Sequence, residues 1–124
     1  MDLPLEIHPD SLLAAQAGRC ATDQERFWTM HGRMLANPDH LALSDLTEYA
    51  KEFGLDVVAF QRCVEGGKYK ETVQQGAHHA IAKGARGTPA FVIGKSTPAG
   101  VEGELIVGAQ PYGVFDKKLK ELMQ

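Results

Sequence analysis

Apolar residues in this chain follow two different spacings, and the change between them separates a helical stretch from a closing strand-rich one. Through the first two thirds they recur at intervals of three and four. Leu13, Ala17 and Cys20 form one such set, made mostly of small residues suited to close packing. Phe27, Met30 or His31, and Met34 form the next, with Trp28 and Leu35 beside them. Leu46, Tyr49, Ala50 and Phe53 follow, then Val57, Phe60 and Val64, then Tyr69, Val73, Ala77, Ala80 and Ile81. Each set falls on one face of a helix. After Gly84 the spacing changes. Ala90-Phe91-Val92-Ile93 is an uninterrupted apolar run, which predicts a short strand buried on both faces. Leu105-Ile106-Val107 predicts a second strand, and Phe115, Leu119 and Leu122 mark the core face of a last helix.

Breakers and caps divide these sets. Leu3, Leu5 and Ile7 alternate with polar residues or proline, as at the end of a strand. His8-Pro9-Asp10-Ser11 reads as a helix start with Asp10 or Ser11 as its cap, and Thr22 or Asp23 is placed to cap the second helix. Asn37-Pro38-Asp39 breaks the chain before Ser44 and Asp45 open the third helix, which Gly54 ends. Asp56 caps the fourth, where Leu55 can pack on Phe60 as a hydrophobic staple, and Gly66-Gly67 stops it. Pro89 stands at the first position of its strand, one of the few places a sheet accepts proline, and holds Thr88 extended. Gly94 to Gly100 reads as turn and loop material, so the two strands form a hairpin across it. Pro111 enters the first turn of the last helix.

Composition narrows the function classes. A chain of 124 residues, 44% apolar and 23% charged, suits one compact domain with a real core. A net charge of −3 gives no reason to expect a nucleic-acid partner. No segment approaches the ~18 consecutive apolar residues of a membrane span. The N-terminus lacks the basic and apolar regions of a signal peptide, so the chain as written carries no export address and its compartment is open. No cofactor motif occurs. His78 and His79 are adjacent, so on a helix they point about 100° apart and cannot grip one metal ion. The carboxylates are scattered, with no pair placed for acid–base work, and no catalytic residue is assigned.

Gly87-Thr88-Pro89-Ala90-Phe91-Val92-Ile93-Gly94 resembles the cis-proline loop of thioredoxin-fold proteins, in the form used by DsbA-like thiol–disulfide oxidoreductases. The likeness extends along the chain. Leu3-Pro4-Leu5 with His8-Pro9 is similar to the strand exit that leads into the helical insertion of that family. Arg19-Cys20-Ala21, Phe27-Trp28 and Met30-His31 are similar to the first part of the insertion, and Phe60-Gln61-Arg62-Cys63 and Gly67-Lys68-Tyr69 to its later helices. Gly108-Ala109-Gln110-Pro111 is similar to the closing unit. The resemblance implies an α/β chain with a partial thioredoxin-like fold. Residues 8–83 would be the helical insertion and residues 84–124 a β-β-α closing unit, all in a single domain 1–124. It implies a cis bond before Pro89, and it makes Thr88 and Pro89 a platform whose backbone pairs with an extended peptide or protein ligand. Relatives of this type are typically periplasmic or otherwise extracytoplasmic.

The family's chemistry needs Cys-x-x-Cys where a strand meets a helix, because the helix N-terminus lowers the pKa of the first thiol. No Cys-x-x-Cys occurs here. The expectation is therefore a truncated DsbA-like protein without redox turnover of its own. Two other readings stand beside it: a binding module using the cis-proline platform, and a fragment of an active oxidoreductase. Cys20 and Cys63 lie far apart in sequence, inside helical patterns. They can be two buried thiols acting as small apolar residues, or a structural disulfide between the first and fourth insertion helices, as oxidising surroundings would permit. A catalytic dithiol is the third reading. In the arrangement the resemblance implies, the strand leading to Cys-x-x-Cys would lie beside Ala90–Ile93, and without it one edge is open. The expectation is a homodimer that covers that edge, the alternative being that the N-terminal segment or an insertion helix folds back over it.

Overall fold

A computed structural model describes residues 1–124. Its elements in chain order are α1 (Ser11–Thr22), α2 (Phe27–Ala36), α3 (Leu43–Glu52), α4 (Val57–Glu65), α5 (Lys70–Ala82), β1 (Ala90–Thr97), β2 (Gly100–Val107) and α6 (Tyr112–Leu122). This is a mixed α/β architecture consistent with a partial thioredoxin-like fold. The chain forms two compact units, Met1–Ala77 and His78–Gln124.

In the first unit α1 is the common partner, packing on α2, α3 and α4. Its inner face is built from Ala17, Cys20 and Ala21, all essentially without solvent contact. Small side chains there let three neighbours approach closely, and the larger groups come from the neighbours: Met30 and Met34 of α2, Leu46 of α3, Phe60 and Val64 of α4. Gly18 shows the tightness of the fit, since a side chain there would start 3.4 Å from the ring of Phe27. Arg33 fastens α2 to α3. Its guanidinium lies 5.3 Å from the centre of the Tyr49 ring and 5.5 Å from that of Phe53, and it pairs with Glu52.

Local signals act at several helix ends, although Asp10, read as a cap of α1, stands at the cap position without a side-chain hydrogen bond. Asp56 caps α4, its Oδ1 accepting from the Ala59 N–H at 2.9 Å, and Leu55 is buried in the same cluster as Phe60. Gly54 takes the left-handed conformation, φ +70°, that ends α3. Asp45 serves the start of α3 from inside, accepting from the Ala42 N–H at 3.1 Å, so the helix begins at Leu43 rather than at Ser44. The second cap differs from expectation. α1 continues through Thr22, whose hydroxyl donates to the Gly18 carbonyl at 3.1 Å, and α2 begins only at Phe27. The reversal between them runs through Glu25 at φ +59°, which leaves the Asp23 carboxylate free for a different task.

The second unit is a hairpin with one helix against it. β1 and β2 pair antiparallel from Ala90 with Val107 to Thr97 with Gly100, so both strands run well beyond their apolar runs. The stretch read as a loop is therefore mostly ladder, and only Pro98 and Ala99 turn. Thr97 secures that turn, its hydroxyl donating to the Gly100 carbonyl at 2.9 Å. Gly94, taken as a turn signal, faces Gly103 across the ladder, where a side chain on either would collide with the opposite backbone. β1 also departs from burial on both faces: Phe91 and Val92 are 40% and 49% exposed. One helix and one strand cannot cover both faces of a two-stranded ribbon. α6 packs on β1 through Phe115, whose ring meets that of Phe91 edge-on at 5.1 Å. Lys118 of α6 pairs with Glu104 of β2 at 2.7 Å.

The α1-centred core carries a direct stability test. Phe60→Ala removes the largest fully buried side chain and should cost about 3–5 kcal/mol in urea unfolding. Val58→Ala, on the exposed side of the same helix, should stay within about 0.5 kcal/mol.

Candidate functional site

Two places hold the residues singled out by the sequence. The first lies in the unit His78–Gln124, where α5 gives way to β1. Gly84 has φ +97° and approaches Leu105 closely, so a side chain there would start 3.1 Å from its Cδ2. The chain then reaches Thr88 and Pro89, both exposed, across a cis peptide bond. The Pro89 carbonyl accepts from the Gly108 N–H at 2.8 Å, which extends the hairpin ladder by one step. Thr88 has no backbone hydrogen-bond partner within the chain. The sheet contains only β1 and β2, so one edge of β1 has no neighbour. Thr88 thus lies just ahead of a strand with one edge unpaired in the sheet, where Phe91 and Val92 are partly exposed.

The second place lies in the unit Met1–Ala77. Cys20 of α1 and Cys63 of α4 are joined by a disulfide with Cα atoms 5.9 Å apart. A polar clamp sits over it. The Lys68 ammonium donates to Asp23 Oδ2 at 2.7 Å, and the Tyr69 hydroxyl donates to Asp23 Oδ1. These two hydrogen bonds, that of Lys68 first, hold the Asp23 carboxyl below its usual range, and the same contact raises Lys68. Asp23 Oδ2 is also 3.9 Å from Cys63 Sγ. A bonded sulfur has no proton to donate, so that contact is packing only. The disulfide and the clamp together tie the α4–α5 turn to the end of α1.

Sequence reasoning assigned Asp23 to a helix cap and overlooked the clamp. The signal was Gly67-Lys68-Tyr69: Gly67 at φ +64° turns the chain so that the next two side chains reach back across α1. A cleft of about 650 Å³ opens in the same unit beside α1 and α2, floored by Ala14, Gly18, Phe27 and Met34 and edged by His31 and Asp39. No group of three or more metal-ligating side chains occurs anywhere in the chain. No helix is long and apolar enough to cross a membrane.

The clamp predicts a pH dependence of known sign. A carboxyl with its pKa depressed by folding adds stability above its unfolded value, about 3.9, and loses that contribution as pH falls through the lower folded value. Asp23→Asn should therefore lower the urea midpoint at neutral pH. The difference from the unsubstituted protein should shrink steadily below about pH 4. A difference that persists unchanged at low pH would assign the clamp's effect to something other than the carboxylate charge.

Comparison with known proteins agrees with this architecture. Residues 2–120 match the family model of the DSBA-like thioredoxin domain. A protein named Na(+)/H(+) antiporter NhaA 3, from Salinispora tropica, is 34% identical over 92 residues, covering 73% of this chain and 14% of its own length. Na(+)/H(+) antiporter NhaA 1 of Salinispora arenicola is 33% identical over 92 residues, with the same coverage. The NhaA of Herminiimonas arsenicoxydans is 33% identical over 86 residues, 69% of this chain and 14% of its own. The chain thus spans about 14% of the length of these curated relatives. No solved structure matches. With the match running nearly end to end, through the helical unit and the β-β-α unit alike, this chain belongs to the DSBA-like thioredoxin domain family.

Proposed function

We propose that residues 1–124 form the recognition part of a DsbA-like thiol–disulfide oxidoreductase domain, binding extended polypeptide without turning over disulfides themselves. The observation that carries this reading is the unpaired edge of β1, continuous with the exposed and unbonded backbone of Thr88. An extended peptide laid along it would satisfy those groups by strand addition, with alternate side chains meeting Phe91 and Val92. Thr88 and Pro89 start the platform, as in the family the chain belongs to. The absence of turnover rests on thiol chemistry: exchange catalysis needs an accessible thiolate of low pKa, and both cysteines here are bonded to each other away from any Cys-x-x-Cys. The curated relatives support a modular reading. They share one segment of their length with this chain and carry antiporter names, so a domain of this kind is used as a part of longer proteins. Transport is not assigned to this chain.

Three measurements test the proposal. In an insulin-reduction assay the chain should give no turnover above the uncatalysed rate; turnover that vanishes in Cys20→Ala would reverse that conclusion. A Thr/Val-rich octapeptide should bind saturably, and N-methylation of its alternate amides on one edge should abolish binding. Equal binding by the methylated peptide would remove strand addition. The same edge can instead be covered by a second copy, since its apolar faces are poorly shielded and two-fold dimers are the commonest solution. Light scattering after size exclusion should then give twice the 13.5 kDa chain mass, and peptide should compete with the dimer. A concentration-independent 13.5 kDa species leaves the edge to peptide alone.

A further inference from the structure

The two sulfurs of the Cys20–Cys63 bridge lie in opposite surroundings. Cys20 is 1% exposed and belongs to the apolar core with Ala17, Ala21, Met30, Phe60 and Val64. Cys63 is only partly buried, and its sulfur lies beside the Asp23 carboxylate that holds the Lys68 ammonium. Thiol exchange must reach one sulfur and release the other as a thiolate. Here the requirements fall on the wrong partners. Of the two cysteines only Cys63 has appreciable solvent contact, but attack there expels the Cys20 thiolate into an apolar core, where burial disfavours the charged form. The Asp23 carboxylate, held in place by Lys68 and Tyr69, also occupies the space beside the Cys63 sulfur at 3.9 Å. Attack on Cys20 would instead expel the partly exposed Cys63 thiolate, but Cys20 is out of reach.

We infer that the bridge is closed to thiol exchange in the folded protein and is therefore made before α1 and α4 pack. The chain is thus itself a client of a dithiol-oxidising reaction that acts during folding. In that reaction the Cys63 thiolate attacks a donor disulfide, forming a mixed disulfide and releasing one donor thiolate. The Cys20 thiolate then attacks the Cys63 sulfur and releases the second. The donor gains two electrons, and the two thiol protons pass to solvent. The second step needs Cys20 ionised and mobile, a condition met in the open chain and lost once the core closes. This inference is independent of the strand-edge reading of β1.

Reduction kinetics test it on the intact, oxidised protein. Excess dithiothreitol is added to native protein and to protein in concentrated urea, samples are quenched with acid, and free thiols are counted by maleimide mass-tagging on a gel. Native reduction should be slower by about 100-fold or more, because only a fraction on the order of 10⁻³ or less of a stable domain is unfolded at any moment. It should accelerate with added urea in step with global unfolding. Native reduction within about ten-fold of the unfolded rate, or independent of urea below the transition, would overturn the inference, since exchange would then proceed through the folded state. A mixed disulfide with glutathione accumulating at Cys63 in native protein would overturn it as well.

Discussion

The close packing of α1 against three other helices is the interaction on which the first unit depends. Ala17, Cys20 and Ala21 offer almost no side-chain volume, so α1 can be approached from several sides at once. Met30, Met34, Leu46, Phe60 and Val64 then fill the space around it. The covalent bond and the Asp23 clamp act on the same contact. In the chain-entropy view a bridge of this separation contributes about 4 kcal/mol by restricting the unfolded chain, and it does so where α1 already meets α4. Apolar packing, a disulfide and a charge-assisted hydrogen bond therefore reinforce one interface.

The second unit is built under the opposite constraint. A two-stranded ribbon with one helix has more apolar surface than it can hide, and α6 has no fully buried residue. Phe91 with Phe115 supplies its main aromatic contact, while Val92, Val101 and Leu119 stay about half exposed. Isolated hairpins are marginal in water, and a free strand edge attracts further strands. The proposed strand addition rests on the same deficit that leaves the unit incompletely covered.

These two conditions divide the roles within the family's fold. The helical unit is closed and internally tied, with its one disulfide set into the core. The hairpin unit presents open backbone groups at Thr88 and along β1. Chemistry at a helix-terminal dithiol is a third requirement, and nothing among these residues supplies it. In the proposed reading binding and turnover are separable, because strand addition needs only a fixed edge whereas exchange needs an activated sulfur.

The strand end read at Leu3–Ile7 is irregular chain and turn, whereas the sequence by itself determined the presence of the six helices and both strands, the Asp56 and Gly54 helix ends and the family resemblance. These rest on local causes: apolar spacing, a carboxylate within reach of free N–H groups, a glycine at positive φ. Tertiary structure alone decided the rest. Gly94 looks like a turn residue in isolation, and only its position facing Gly103 in the ladder shows why neither can carry a side chain. Asp23 has the chemistry of a cap, but the reversal at Glu25 and the turn at Gly67 bring Lys68 and Tyr69 to it instead. Whether Cys20 and Cys63 meet depends on how α1 and α4 cross. That is set by the sum of many small side-chain contacts, and no spacing along the chain records it.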